Sequence, residues 1–349
     1  MPGSVAAHRF SVINRDKQNS RTWGGGSRVM NILVTGGCGF IASFVVEHLL
    51  KTTDCNIILI SKSESYYAKL RMADIGAEGN ARVAIFRVDM SGGVPPIPDV
   101  DYILHMGAES HVDSSIKEPE AFIRSNILGT YKMLEYARTL PDLKKFLYFS
   151  TDEVYGPAKA GEVFTEWSRY NSCNPYAATK AAAEELCLAW ENTYKVPCVI
   201  THSMNVFGER QHPEKFVPLV IKKILADEVI TIHVDACGNP VVRSFVYGED
   251  VADATIRVLF DGQPHQKYGI KGRLEIPISE LAEKIAGYLG KEAKMEFKYP
   301  AITRPGVDTR YAVGGTNMKD LGWEASRNVL GHLQATVQWY SNHRAEWYV

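Results

Sequence analysis

Asn31-Ile32-Leu33-Val34-Thr35-Gly36-Gly37-Cys38-Gly39-Phe40-Ile41-Ala42-Ser43 decides the fold. A short β-type run enters a glycine-rich turn. An apolar pattern at Phe44, Val45, Val46, Leu49 and Leu50 then predicts a helix. Strand, glycine turn, helix is the context a phosphate-binding loop requires. Gly36 permits the tight turn, and Gly39 lets backbone approach a pyrophosphate. Ala42 is small enough for close packing of helix on sheet. Backbone N–H groups and the helix dipole favour the phosphates, so the stretch predicts a dinucleotide site.

Further strands follow in the order a doubly wound parallel sheet needs. The second is Asn56-Ile57-Ile58-Leu59-Ile60. A carboxylate is expected at its end, about 20 residues past the glycines, to hold ribose hydroxyls. The chain has Ser61-Lys62-Ser63-Glu64 there. Lys62 is either a partner for a 2′-phosphate, as in NADP sites, or a solvated loop lysine. A third strand, Val83 to Val88, ends in Asp89. A fourth, Tyr102-Ile103-Leu104, leads into His105-Met106-Gly107-Ala108-Glu109-Ser110-His111. Gly107 and Ala108 are small enough for a cofactor backbone to pass. His111 reads as a structural histidine in a polar loop rather than a catalytic acid or metal ligand, because no second ligand cluster accompanies it. A long helix is predicted over about residues 121–139.

The fifth strand, Lys145-Phe146-Leu147-Tyr148-Phe149, stops at Ser150-Thr151-Asp152-Glu153. That puts a hydroxyl, an acid and a base outside the carboxyl end of a buried strand, where ligands bind in open α/β sheets. Asn174-Pro175-Tyr176 opens a helix running to about Tyr194, with Lys180 one turn after Tyr176 on the same face. A phenol beside an ammonium is expected to have a lowered pKa, which suits a base taking a proton from a sugar hydroxyl.

The bulk numbers exclude several classes. The formal net charge of the 349 residues is -1 and no long basic tract occurs, which argues against nucleic acid. No apolar run is long enough to span a membrane, so a soluble, cytoplasmic protein is expected. The 6 cysteines are scattered, without metal-site spacing, and read as reduced. Residues 1–29 are basic and end in Gly24-Gly25-Gly26-Ser27. A disordered extension is favoured there over a transit peptide. The expected organisation is a Rossmann-type nucleotide-binding domain over 30–205, with a return segment at about 243–260. A smaller C-terminal α/β substrate lobe covers 206–349. In that lobe, Arg304-Pro305-Gly306-Val307-Asp308-Thr309-Arg310 is either a diphosphate-binding loop or a surface salt-bridge cluster.

The glycine turn, Ser150-Thr151-Asp152-Glu153-Val154-Tyr155-Gly156 and Tyr176-x-x-x-Lys180 together resemble the extended short-chain dehydrogenase/reductases. Within them they are similar to the nucleotide-diphosphate-glucose 4,6-dehydratases. His105 to Asp113, Pro213 to Pro218 and Arg304-Pro305-Gly306 strengthen the likeness, which covers about residues 30–349. The resemblance implies a Rossmann fold, NAD, a nucleotide-diphosphate-sugar substrate and a homodimer through a four-helix bundle. It makes Tyr176, kept anionic by Lys180, the base for the C4 hydroxyl proton as C4 gives hydride to NAD, with Thr151 hydrogen-bonding the C4 oxygen, Glu153 as base at C5 and Asp152 as acid at C6. Phe40, Ile41, Asp89, Met90, Met106, Ala108 and Ser125 would line the cofactor. Ser110, Asn205, Lys215, Phe216, Arg243 and Arg304 would hold the sugar diphosphate. Ser61 departs from the family's aspartate, leaving NADP open beside NAD. Val206, Thr303 and Val307 also depart, on the nucleotide side, which leaves UDP-glucose and dTDP-glucose both open. The competing readings are a 4-epimerase or uronic acid decarboxylase of the same fold, and a non-catalytic NAD(P)-binding scaffold. The first needs no Asp152–Glu153 pair. The second needs none of the five polar residues.

Overall fold

A computed structural model describes residues 28–159, 161–299 and 310–348. Arg304, and all of the expected extension except Arg28 and Val29, lie outside the described residues. Arg28 ties into the domain by donating to Asp101 Oδ2 at 3.2 Å.

The first half alternates strand and helix: β1 (Asn31–Thr35), α1 (Phe40–Thr52), β2 (Asn56–Ser61), α2 (Tyr66–Asp74), β3 (Val83–Arg87), β4 (Tyr102–His105), α3 (Val112–Lys117), α4 (Pro119–Phe122), α5 (Gly129–Ala137), β5 (Lys145–Thr151), α6 (Pro175–Tyr194) and β6 (Cys198–Ser203). Between α4 and α5, Ile123–Leu128 forms a π-helical turn, so the expected helix over 121–139 is three joined pieces. The wider turn accommodates buried Asn126, whose side chain bonds Glu109 N and O instead of standing off in solvent.

The second half supplies β7 (Asn205–Phe207), α7 (Phe216–Leu225), β8 (Ile230–His233), β9 (Val242–Tyr247), α8 (Gly248–Asp261), β10 (Lys267–Ile270), β11 (Leu274–Pro277), α9 (Ile278–Tyr288), β12 (Met295–Lys298), α10 (Thr316–Asp320), α11 (Val329–Asn342) and α12 (Arg344–Trp347). The main sheet has seven strands in the order β10-β6-β5-β4-β1-β2-β3. Every pairing in it is parallel. All seven residues of β5 are buried, as expected for a parallel strand covered on both faces, which reads as a continuous apolar run. Helices on both faces complete the doubly wound architecture.

The chain's return to the main sheet differs from the expected segment at 243–260. The strand of that segment, β9, belongs to a separate three-stranded sheet, β11-β9-β7. Only its helix α8 packs beside α1, and the seventh strand comes later, at Lys267–Ile270. The reason lies in how α8 and α1 meet. A Cβ on Gly248 would stand 2.4 Å from the Phe44 ring, so a glycine is what lets α8 start against α1. The same apolar core runs on through α7, α9 and α11, with Ile221, Ile285 and Val337 all fully buried. The small lobe is thereby fixed over the carboxyl ends of the main strands.

Candidate active site

The glycine turn is shaped by what it touches. Gly36 has φ +64°, in the left-handed region, and a Cβ there would stand 2.7 Å from Gly107 Cα. The turn after β1 and the loop after β4 are in backbone contact. Thr35 Oγ1 fixes that contact by accepting from Met106 N at 3.1 Å and Gly107 N at 3.0 Å. His105 bridges Thr35 Oγ1 (2.7 Å) and Thr130 Oγ1 (2.9 Å). Burial, with the Lys180 charge, pushes its imidazole down to about 3, so it stays neutral. Gly39 is the residue before α1, and the first turn of that helix carries no acidic side chain. The N-terminus of α1, with its dipole, is thus free of a competing negative side chain in its first turn, as a pyrophosphate site requires.

A cavity of about 810 Å³ opens from this turn toward the small lobe. On the Rossmann side its wall includes Gly36, Gly39, Phe40, Ile41, Ser61, Lys62, Asp89, Met90, Met106, Gly107, Ala108, Ser110 and Ser125. Thr151, Asp152, Glu153, Tyr176 and Lys180 form its middle, and Asn205 and Lys215 its far side. The small backbones at Gly36, Gly39 and Gly107, with a helix N-terminus beyond them, fit a dinucleotide. Phe216 stands outside the wall, packed on the core where α7 begins. Arg243 is also outside it. Its guanidinium lies over the Tyr311 ring at 5.1 Å, and its charge is felt by Asp152. Lys62 is paired with Glu109 at 2.6 Å. His111 contacts Ser114 Oγ at 2.9 Å, just inside α3, and no metal-binding cluster occurs among the described residues.

The middle of the cavity is where the electrostatics concentrate. β5 ends at Thr151, and Asp152–Tyr155 turn away in a single 3₁₀ turn. Asp152 is 4% exposed. Its Oδ1 accepts from Thr151 Oγ1 at 3.3 Å, and its Oδ2 has no partner. Burial and then the neighbouring Glu153 push its carboxyl up to about 7, against the Thr151 bond and the Arg243 charge. Glu153 Oε2 accepts from Asn174 Nδ2 at 3.1 Å and Tyr311 OH at 3.4 Å. Asn174 also caps α6, its Oδ1 accepting from Ala177 N at 2.8 Å, with Pro175 in the first turn. One side chain therefore both starts the helix bearing Tyr176 and orients Glu153.

Tyr176 and Lys180 correct the expected lowering of the phenol's pKa. Burial, and after it the charge of Glu153, raises the Tyr176 pKa above its ordinary value, with only the Thr151 hydroxyl acting in the other direction. The Lys180 ammonium donates to the Phe149 carbonyl at 2.7 Å and lies 4.2 Å from the centre of the Tyr148 ring. It shares the helix face with Tyr176 yet is bonded to the strand. Burial brings Lys180 down to about 8, partly offset by Glu184. The spacing placed both groups correctly; desolvation reversed the predicted sign.

Two residues bearing on the site escaped the sequence reading: Asn174 in its contact to Glu153, and Tyr311. The Asn-Pro pair preceding a helix was a visible signal for the first. Tyr311 reaches Glu153 from 158 positions away and left no local signal.

A dinucleotide turn, an acid and a neighbouring carboxylate at a strand end, and a buried Tyr–Lys helix face define a Rossmann protein built for proton and hydride chemistry. Residues 32–270 match the NAD dependent epimerase/dehydratase family, and the chain belongs to that family. It is 36% identical over 343 residues to a dTDP-glucose 4,6-dehydratase of Neisseria gonorrhoeae, covering 90% of this chain and 96% of the relative. A dTDP-glucose 4,6-dehydratase from Streptomyces venezuelae, solved with NAD bound, superposes with a TM-score of 0.81 at 30% identity, covering 91% of this chain and 99% of that one. A UDP-glucuronic acid 4-epimerase from Bacillus cereus, also with NAD, gives a TM-score of 0.81 at 26% identity, covering 90% and 99%.

Proposed function

We propose that the protein is an NAD-dependent nucleotide-diphosphate-glucose 4,6-dehydratase acting on UDP-glucose or dTDP-glucose. The observation that carries this reading is the buried Asp152 carboxyl, raised to about 7 with Oδ2 unpartnered, beside a Glu153 held by two donors. Elimination of water next to a ketone needs an acid for the leaving hydroxyl and a base for the adjacent C–H. An epimerase of this fold has no use for the pair, and a scaffold has no reason to keep a carboxyl in so unfavourable a setting.

Gly36, Gly39, Phe40, Ile41, Met106, Gly107 and Ala108 would hold the dinucleotide. When bound, NAD supplies a hydride acceptor for C4, a donor for C6 and a positive ring charge that favours phenolate. Tyr176 takes the C4 hydroxyl proton, with Thr151 hydrogen-bonding the C4 oxygen and the Lys180 ammonium adding positive charge. The ketone at C4 acidifies C5–H. Glu153 removes that proton, Asp152 protonates the C6 hydroxyl, and water leaves. Glu153 returns its proton to C5. Over the cycle Tyr176 has gained one proton and Asp152 has lost one, so a proton passed between them restores both. Asn205 and Lys215 serve the sugar-diphosphate side.

A nucleotide domain made of residues 30–205 with the later α8 and β10, and a substrate lobe made of the rest of 206–349, is part of the same reading, as is a cytoplasmic location. No helix among the described residues is long and apolar enough to cross a membrane. A homodimer through the helices 119–137 and 175–194 accounts for Ile123 and Tyr194 lying 52% and 46% exposed there. Sedimentation is expected to give a dimer, and a monomer would remove that element. Incubation with UDP-glucose and with dTDP-glucose should yield a product with the alkali-induced absorbance of a 4-keto-6-deoxy sugar. Clean conversion to a galactose nucleotide would overturn the assignment.

A further inference from the structure

Ser61 and Arg87 are register partners at the carboxyl ends of β2 and β3. In a dinucleotide fold, a carboxylate near the end of β2 holds the ribose 2′-hydroxyl, whereas an arginine nearby accommodates a 2′-phosphate. The reason is charge: a carboxylate repels a phosphate and a guanidinium receives it in a fork of N–H donors. Here the strand end carries a buried hydroxyl, Ser61, 5% exposed. Arg87 is not itself in the cavity wall, but its guanidinium is bonded to two residues that are, Ser63 and Cys38. Its Nη1 donates to the Ser63 carbonyl at 2.7 Å and to Cys38 Sγ, in the glycine turn, at 3.2 Å. Neither acceptor is a carboxylate, and no carboxylate pairs with Arg87 among the described residues.

The remaining groups leave room for an anion. Of the two carboxylates in this part of the wall, Asp89 caps the turn after β3, its Oδ1 accepting from Ser91 N at 2.9 Å and Ser91 Oγ at 2.8 Å. Glu109 holds Lys62 in a pair whose partners are 38% and 48% exposed. An exposed pair of that kind is worth at most about 1 kcal/mol, so a phosphate can draw the ammonium away. The Ser63 hydroxyl stands one residue beyond Lys62 and donates to Ser65 Oγ, the cap of α2.

Resting on the dinucleotide reading above, we infer that the adenosine end of this site accepts a 2′-phosphate, so that NADP is taken as well as NAD. Arg87 and Lys62 are the cationic partners of the phosphate, and Ser61 is the hydroxyl that replaces the excluding carboxylate. The specificity of the cofactor site is thus set by the β2–β3 strand ends, away from the reacting atoms.

The test is equilibrium titration of the full chain with ADP-ribose and with 2′-phospho-ADP-ribose, which separates binding from turnover. The two are expected to bind within about tenfold of each other. Arg87→Gln should weaken the phosphorylated fragment by about tenfold or more while ADP-ribose changes little. ADP-ribose binding thereby checks that the variant is folded. Ser61→Asp should turn the preference toward ADP-ribose by about tenfold or more. A wild-type preference for ADP-ribose of more than about tenfold overturns the inference and leaves the dinucleotide site standing. So does an Arg87→Gln variant that weakens both fragments equally. If neither fragment binds, the dinucleotide reading itself falls.

Discussion

Ser150 and Asp152 stand two residues apart, both buried, and they belong to opposite kinds of polar environment. Ser150 donates to Glu184, a fully buried carboxylate on α6. Glu184 also accepts from Tyr170, meets His202 Nε2 at 2.9 Å and has Lys267 Nζ at 3.7 Å. Burial alone would push its carboxyl up, but His202, Lys267 and Ser150 more than offset this, and it is held below its ordinary value. Asp152 is just as buried, keeps an unpartnered oxygen, and moves the other way. Depth is therefore not what separates them; partners are. The Glu184 cluster ties β5, α6, β6 and β10 together directly beneath the strand end that bears Thr151 and Asp152. Asp152 is left unsatisfied on top of that fixed base, with capacity to bond to a substrate.

This contrast sorts substitutions by what they remove. Above the base, Tyr176→Phe or Glu153→Gln should lower kcat by about 10²–10⁴-fold, the usual worth of a positioned acid or base. Melting curves of Tyr176→Phe should stay close to wild type. A Tyr176→Phe enzyme of ordinary activity would remove the phenol from the mechanism. Below it, Glu184→Gln should reverse the pattern. Breaking a buried pair on one side leaves charges uncompensated and costs about 3–5 kcal/mol of stability by denaturant titration. Lys180 also loses the charge that raises its pKa, so a second alkaline loss of activity, above the one Asp152 sets, should begin at lower pH in Glu184→Gln. A purely structural Glu184 would leave the pH profile where it was.

The part of this contrast that was legible in the sequence is the part written in short-range pattern. The β1–Gly36–Gly39–α1 turn, the Thr151-Asp152-Glu153 strand end and the Tyr176/Lys180 helix face each depend on residues within a few positions of one another. The matching element spans followed from apolar runs that parallel strands require. What was not legible depends on contacts between distant segments. The seventh strand was missed because Lys267–Ile270 is a short run, and only its pairing with β6 identifies it. Tyr311 meets Glu153, and Lys267 meets Glu184, across stretches for which no local rule exists. The Tyr176 shift had the wrong sign because one helix face shows Lys180, whereas only the fold shows the burial and the two carboxylates around the phenol.

The smallest effect makes the most direct test of the comparison, because it has opposite signs for stability and activity. Asp152 has a folded-state pKa of about 7 against an ordinary value of 3.8. The fold therefore favours its protonated form. That contribution is fully present below the unfolded value and is lost as pH rises from there through about 7. Asp152→Asn, which keeps the shape and never ionises, should be more stable than wild type at pH 8 by on the order of 1–3 kcal/mol. It should lose that advantage at pH 4 and be a poor catalyst throughout. In the wild type, kcat should fall as pH rises past about 7, when the acid for the C6 hydroxyl is lost. Glu184 runs the other way: its pKa is lowered, so its contribution is present above the ordinary carboxylate range and is lost on acidification. Denaturant titrations of Asp152→Asn and Glu184→Gln across this pH range should therefore move in opposite directions from wild type at pH 8. If both variants lost stability there, Asp152 would be one more structural carboxylate, and the acid would have to be sought elsewhere in the cavity.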